Sequence, residues 1–365
     1  MKSAKVLQIC QPAEGGVAYQ VGILAQEMRD RGLSVGVACS PGALSERLRE
    51  SGIEVHELPL VRQISPREDL SAAHTLWRVV RRGGYSLVHA HSAKAGVLGR
   101  VAARLARVPA VYTPHAWSFL VAKSGFERRA YLAIERLLAP FTRRIICVSR
   151  GELELGRMLG VGVDKLRLVP NGVTAPSPVR ARGEGEVVVG SVCRLTRQKG
   201  ITYLVRAAEA VRQERGGGVR FSVAGEGPDL GLLKAEINRR GLRDGFELVG
   251  VVEEPWEHLS SLDVFVLPSL WEGMPFVLLE AMGVGLPVVA TDVGGVRDVI
   301  PDDTFGTVVP PADADALKAA ILHYVDHPEL RRRVGAAARG RIIREFGRER
   351  MIEANLGVYA EVLGC

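Results

Sequence analysis

Leu267-Pro268-Ser269-Leu270-Trp271-Glu272-Gly273-Met274-Pro275-Phe276-Val277-Leu278-Leu279-Glu280-Ala281-Met282-Gly283 reads as the end of a β-strand, a loop and the start of a helix. The strand is the apolar run 264–267, and the helix begins near Pro275. Proline suits a first helical turn because its missing N–H has no intrahelical partner there. Outward from this unit the pattern repeats. Strand-like runs at 187–193, 220–224, 246–249, 287–290 and 306–309 alternate with helix-length segments, and a helix-rich tail follows from residue 313.

Toward the N-terminus, Pro170-Asn171-Gly172, Ala175-Pro176-Ser177-Pro178 and Arg182-Gly183-Glu184-Gly185 cluster Pro and Gly as a linker does. Before them, runs at 5–10, 33–39, 53–58, 87–90, 110–113, 144–148 and 166–169 alternate with amphipathic segments such as 17–31, 70–82 and 94–107. Apolar strands separated by helices predict parallel sheets covered on both faces. The chain therefore reads as α/β, with two doubly wound Rossmann-like domains facing an interdomain cleft. The expected boundaries are 1–172 for an acceptor-binding domain, 173–186 for the linker, and 187–345 for a donor-binding domain. A C-terminal helix at 346–365 is expected to pack back toward the first domain.

Length supports two cores, since 365 residues divide into domains of about 170. The apolar share of 47% and charged share of 24% are those of a soluble globular protein. No apolar run reaches the roughly 18 residues that span a bilayer. The first residues lead straight into a strand, without the apolar core of a signal peptide, so a cytoplasmic location is expected. The five cysteines are widely spaced, with no CxxC or Cys/His ligand spacing, which argues against disulfides and zinc. A net charge of +7 fits a nucleic acid, an anionic membrane or a phosphorylated substrate. No zinc-finger spacing, RNP-like motif or aromatic-interleaved basic stripe is present, so nucleic acid is not an expected partner.

Ligands of open α/β sheets bind beyond the carboxyl ends of the strands, which directs attention to the residues after each run. Glu272 and Glu280 are eight residues apart, one before the helix and one inside it, and both are expected to face the cleft. Gly273 permits close approach of a ligand, and the N–H groups at the helix start suit an anion or a sugar edge. Gly190-Ser191-Val192-Cys193-Arg194-Leu195-Thr196-Arg197-Gln198-Lys199-Gly200 leaves a strand and enters a helix. Arg194 and Lys199, with Arg197 as a weaker third, suit a diphosphate; a basic surface loop fits the same residues. Ala13-Glu14-Gly15-Gly16-Val17 follows the first strand as a ligand loop or a tight turn. In Val111-Tyr112-Thr113-Pro114-His115-Ala116-Trp117 a histidine stands at a strand end. Asp313-Ala314-Asp315 has metal-like spacing but opens a helix, and is read as a cap.

The Glu-Gly-x-Pro and Glu-Ala-Met runs around Glu272 and Glu280, followed by Gly-Leu-Pro-Val-Val-Ala at 285–290, resemble the signature of retaining glycosyltransferase family 4. The resemblance implies the GT-B architecture and transfer of a hexosyl or N-acetylhexosaminyl group with retention. The donor is a nucleotide sugar, UDP favoured, and the acceptor is a hydroxyl of a sugar, a lipid-linked saccharide or a small molecule. By resemblance Glu272 contacts the donor sugar and Glu280 the ribose, while the backbone of Gly273, Met274, Pro275 and Phe276 holds sugar hydroxyls and phosphate. Arg194 and Lys199 become diphosphate ligands, and Gly15 and Gly16 face the donor phosphate. His115 approaches the donor sugar. Gly225, Gly250 and Val251 flank the nucleotide. No cofactor and no obligate metal are implied.

His89-Ala90-His91-Ser92-Ala93-Lys94-Ala95-Gly96 resembles the subset of the family that builds polysaccharides and glycosides. His89 and His91 are expected on opposite faces of their strand. His91, Lys94 and Trp117 are candidate acceptor contacts, with packing or capping as the other reading. Residues 125–144 carry Tyr131, Ile134, Leu138 and Phe141 at helical spacing among Arg128, Arg129, Arg136, Arg143 and Arg144. Such a face lies on an anionic membrane, as a peripheral protein at the inner face, or packs on its own sheet. Two other functions stay open: a sugar-nucleotide epimerase of the same fold, and a non-enzymatic nucleotide or polyanion binder.

Overall fold

Each apolar run becomes a parallel strand followed by a helix. The computed structural model describes residues 4–60, 65–122, 124–176 and 185–365. The part of the expected linker at 177–184 lies outside the described residues. The chain divides into two compact units, Met1–Asn171 with Met351–Cys365, and Gly172–Arg350.

The first unit contains β1 (Lys5–Cys10), α1 (Gly15–Asp30), β2 (Ser34–Cys39), α2 (Ala43–Glu50), β3 (Glu54–Glu57), α3 (Pro66–Arg82) and β4 (Leu87–His91). It continues with α4 (Ala93–Ala106), β5 (Ala110–Thr113), α5 (Gly125–Leu138), β6 (Arg144–Cys147), α6 (Arg150–Met158) and β7 (Leu166–Leu168). Among the described residues its strand order is β3-β2-β1-β4-β5-β6-β7, all parallel. The order reverses between β1 and β4, where Gln8 pairs in register with His89 and Cys10 with His91. Such a switch point opens a crevice at the strand ends.

The second unit contains β8 (Val187–Val192), α7 (Ile201–Arg215), β9 (Val219–Ala224), α8 (Leu230–Arg239), β10 (Phe246–Gly250), α9 (Pro255–Ser260) and β11 (Val264–Leu267). Then follow α10 (Phe276–Gly283), β12 (Val288–Thr291), α11 (Val296–Val299), β13 (Thr307–Val309), α12 (Ala314–Asp326) and α13 (Pro328–Glu345). Its order is β10-β9-β8-β11-β12-β13, with the switch point between β8 and β11. Both sheets are therefore doubly wound, as the alternation predicted. The apolar strand faces make one core with α7, α8 and α12, including Phe221 stacked on Phe246 at 5.7 Å.

Helix α14 (Arg348–Leu363) changes unit along its length, since residues from Met351 onward join the first. Its buried Tyr359 reaches Gln8 and His89, and Glu361 takes Arg144 at 2.7 Å. Asp313 accepts from Ala316 N at 2.9 Å and caps α12, the role its position suggested. All five cysteines are free. Among the described residues no helix is long and apolar enough to cross a membrane.

Helix α5 corrects the amphipathic reading. Leu138 and Tyr131 turn inward, while Phe126, Ile134 and Leu137 form a second apolar stripe that is exposed, and Phe141 is exposed in the 3-10 turn that follows the helix. Buried Glu135 adds a polar tie: it takes Arg100 at 2.9 Å and the Tyr112 hydroxyl at 3.1 Å.

Candidate functional site

In the second unit the residues singled out by sequence gather where the switch-point rule places them. The loop after β8 carries Arg194 and Lys199, and the loop after β11 carries Glu272. Two hydrogen bonds bind these loops: Leu270 N donates to Gln198 O at 2.7 Å, and the Gln198 side-chain Nε2 donates to Trp271 O at 2.9 Å. Gly200, at φ +61°, lies so close to Pro268 that a Cβ would sit 2.0 Å from the Pro268 carbonyl oxygen. Only glycine lets the loops approach this closely.

The approach brings Lys199 Nζ within 2.6 Å of Glu272 Oε1, and the Ser269 hydroxyl donates to the same oxygen at 2.7 Å. Burial works against the lysine charge, but the Glu272 carboxylate outweighs it and holds the Lys199 pKa above its ordinary value. Nearby Cys193 has its thiol pushed up to about 11, by burial first, with Lys199 and Glu272 among the charges it feels. Sequence reasoning gave Lys199 and Glu272 separate ligands; the structure joins them. The arrangement leaves capacity for both roles. Among the described residues Glu272 Oε2 accepts nothing, and the Lys199 ammonium has used one of three donors.

Glu272 is buried before α10, and Met274, Pro275 and Phe276 are buried beside it at the helix start. Glu280 lies half-buried within α10, its carboxyl pushed up to about 7 by burial and then by the charge of Glu254. Arg194 is exposed on its loop. Gly225 N donates to Gly250 O at 2.6 Å, which ties the turns after β9 and β10 together, and Val251 is exposed next to them.

Residues assigned no role by sequence reasoning support this group. Thr291 Oγ1 donates to Ser269 O at 2.5 Å, fixing the loop from the end of β12. Gly294, at φ +52°, stands where a Cβ would lie 2.1 Å from the Glu272 carbonyl oxygen, and Gly295 N donates to Gly273 O at 2.6 Å. The signal was a paired glycine after a strand, at Thr291-Asp292-Val293-Gly294-Gly295.

In the first unit, Gly15 and Gly16 open α1 and are exposed. His115 follows β5, and His115 and Ala116 both take positive φ, 52° and 78°. Such backbone persists only where surroundings hold it. Here Glu152 holds it: one carboxylate oxygen accepts from Ala116 N at 2.5 Å and the other from Val148 N at 3.0 Å. Burial raises the Glu152 carboxyl to about 7, and the two N–H bonds oppose that rise. The sequence signal was the capping pattern Ser149-x-x-Glu152, and Glu152 N does donate to Ser149 Oγ at 3.2 Å.

His91 Nδ1 lies 3.1 Å from His115 Nε2, and His91 Nε2 lies 2.8 Å from Gln8 Oε1. His89 and His91 share one face, with ring centroids 3.9 Å apart. The opposite-face expectation was wrong because residues two apart on a strand point the same way. Burial depresses all three imidazoles: His115 falls to about 3, and His89 and His91 lie well below the ordinary value. All three are neutral at neutral pH.

Two acceptor candidates are placed otherwise. Lys94 Nζ is ion-paired to Asp69 Oδ1 at 2.6 Å. Trp117 has no accessible surface; it stacks on Phe119 in the core and donates from Nε1 to Glu152 O at 2.9 Å. Its role is to brace Glu152, and it offers no face to an acceptor.

Two family models match the chain: "Glycosyl transferase 4-like domain" over residues 15–172 and "Glycosyl transferases group 1" over residues 177–341. The Escherichia coli UDP-Gal:alpha-D-GlcNAc-diphosphoundecaprenol alpha-1,3-galactosyltransferase is 29% identical, over 81% of each chain. The 2-deoxystreptamine N-acetyl-D-glucosaminyltransferase of Streptomyces fradiae is also 29% identical, over 96% of this chain and 92% of its own. Among solved structures, Anabaena HepE in complex with UDP-glucose superposes with a TM-score of 0.84 at 22% identity, covering 98% of this chain and 99% of that one.

Proposed function

The chain belongs to the family 4-type glycosyltransferases of group 1, which act on sugar-nucleotide donors, and from that premise we propose a metal-independent transfer with retention from a UDP-sugar to a hydroxyl acceptor. The observation that carries the proposal is the Lys199–Glu272–Ser269 cluster. It sets a cation with spare donors beside a carboxylate with a spare oxygen, on two loops tied at a switch point. Glu272 Oε2 accepts from a hydroxyl of the donor sugar. Lys199 and Arg194 take the diphosphate and stabilise the charge it gains on leaving.

The acceptor oxygen forms its bond to the anomeric carbon on the face the diphosphate vacates. The carbon–oxygen bond to the diphosphate breaks, and the acceptor proton passes to a diphosphate oxygen. Glu280 accepts from the ribose. UDP is favoured because the Escherichia coli relative is named for UDP-galactose.

A thermal-shift screen of nucleotide sugars, followed by NMR of the product's anomeric configuration, tests this reading. Glu272→Ala is expected to lower turnover by about 100-fold or more with the fold intact, and a chelator is expected to leave turnover unchanged. An inverted product overturns retention. A free epimerised sugar nucleotide formed without acceptor favours an epimerase.

We further infer that α5 rests on an anionic membrane. Phe126, Ile134 and Leu137 lie on one face at helical spacing, with Phe126 83% and Leu137 69% exposed, and Phe141 is exposed in the turn after the helix. Arg129 and Arg136 are exposed on the flank of this face, and the Arg104 guanidinium sits 5.7 Å from the Phe141 ring. Apolar wedges among arginines match an acyl boundary beneath acidic headgroups. The lipid-linked acceptor in the name of the Escherichia coli relative supports the same reading.

A further inference from the structure

Six polar side chains of the first unit form one continuous chain of hydrogen bonds: Thr113, His89, Tyr359, Gln8, His91 and His115. The direction of each bond follows from Gln8. Its Nε2 lies 2.9 Å from the Tyr359 hydroxyl and 3.8 Å from Met28 Sδ. A thioether accepts and never donates, so the amide keeps its NH2 toward Met28 and Tyr359 and its oxygen toward His91.

A carbonyl oxygen only accepts, so His91 donates from Nε2 across 2.8 Å. A neutral imidazole carries one N–H, so His91 Nδ1 is a bare acceptor. His115 Nε2, 3.1 Å away, must then be the protonated nitrogen, and His115 Nδ1 carries only a lone pair. On the other arm Tyr359 accepts from Gln8 and donates to His89 Nδ1 at 2.6 Å, and His89 Nε2 donates to Thr113 Oγ1 at 2.8 Å. In this direction each bond of the chain joins one donor to one acceptor, and His115 Nδ1 is the ring nitrogen without a partner among the described residues.

We propose that Gln8, held by Tyr359 and Met28, is a positioning residue that fixes His115 in its Nε2–H tautomer, so that Nδ1 stands as a bare hydrogen-bond acceptor for a substrate hydroxyl. The proposal rests on the transferase reading and on the family resemblance, which implies that His115 approaches a substrate sugar. It gives the histidine a definite polarity. Nδ1 takes a hydrogen bond from a sugar hydroxyl and has no proton to give. The device needs buried partners, because a solvated imidazole exchanges between tautomers.

Long-range 1H–15N correlation on the ligand-free protein with 15N-labelled histidine reads the tautomer directly. His115 Nδ1 is expected at the shift of an unprotonated ring nitrogen and Nε2 at that of a protonated one; the reverse overturns the proposal. Because this readout needs no turnover, its failure is separate from failure of the transferase reading, which is judged by activity with a nucleotide sugar. Gln8→Met removes the acceptor for His91; mixed His115 tautomers and a fall in kcat of about tenfold, with donor KM unchanged, are expected. Gln8→Glu still offers His91 an acceptor and is expected to restore the tautomer and most of kcat. Equal losses in both variants with an unchanged His115 tautomer would show that Gln8 is structural only.

Discussion

Lys199 Nζ and Glu272 Oε1 lie 2.6 Å apart, across 73 residues of sequence, and this contact joins the loop after β8 to the loop after β11. Each partner compensates the other's loss of water. Lys199→Met should therefore cost about 3 kcal/mol of stability, since it leaves the Glu272 carboxylate unpaired. Turnover should fall by about 100-fold or more. The double variant Lys199→Met with Glu272→Gln should regain most of the stability and none of the activity. Denaturant unfolding of the three proteins checks the cycle; a double variant no more stable than Lys199→Met would refute the coupling.

Glu280 predicts an effect of pH. Burial, then Glu254, lifts its carboxyl from the ordinary 4.5 to about 7. The folded protein thus holds this proton more tightly than the unfolded chain. Its contribution to stability falls as pH rises between those two values, and stays lost above the upper one. Glu280→Gln removes the penalty, so Tm at pH 8 should rise by about 2–4 °C, with little change at pH 5. Calorimetry at the two pH values measures this. Nucleotide-sugar binding should weaken about tenfold if the ribose donates to this carboxylate.

Gly294 tests how closely the chain behind Glu272 must pack. Gly294→Ala puts a methyl against the Glu272 and Gly273 carbonyl oxygens at a positive φ. A loss of about 1–3 kcal/mol is expected, with kcat/KM reduced by about tenfold as Glu272 shifts. Gly217→Ala meets nothing within 4 Å and should match the parent in both assays.

The exposed stripe on α5 predicts a separable phenotype. Phe126→Ser with Leu137→Ser should abolish sedimentation with vesicles containing acidic phospholipid, while turnover of a soluble acceptor is retained. Binding by the parent should weaken as salt rises, because arginine attraction to the headgroups is screened. Equal vesicle binding by parent and variant would place the membrane contact elsewhere.

The strands were legible because a strand covered on both faces must be apolar, and Val264–Leu267 or Ala110–Thr113 have no other reading. Lys199 and Glu272 were legible as residues but not as a pair, since periodicity says nothing about which loops meet. Gln8 left a trace, a polar residue inside the apolar run Lys5–Cys10, whose meaning depended on Tyr359, 351 residues away. Trp117 misled because an aromatic residue beside a strand-end histidine fits a ligand wall as well as a core. On α5 the most exposed members of the outward stripe, Phe126 and Leu137, were missed because Tyr131, Ile134 and Leu138 supplied enough apolar spacing to explain the helix.

Tyr359 closes a hydrogen-bond chain whose other members lie between Gln8 and His115, so the first unit is not a contiguous stretch of polypeptide. Scission at the linker would separate Met1–Asn171 from the helix that completes it. During synthesis this half waits, with Gln8 and His89 lacking their phenol, until residue 359 has left the ribosome. Folding of the surroundings of His115 is thereby deferred until the whole second unit has been made. An amputated first half is expected to be soluble only when the 351–365 peptide is supplied in trans.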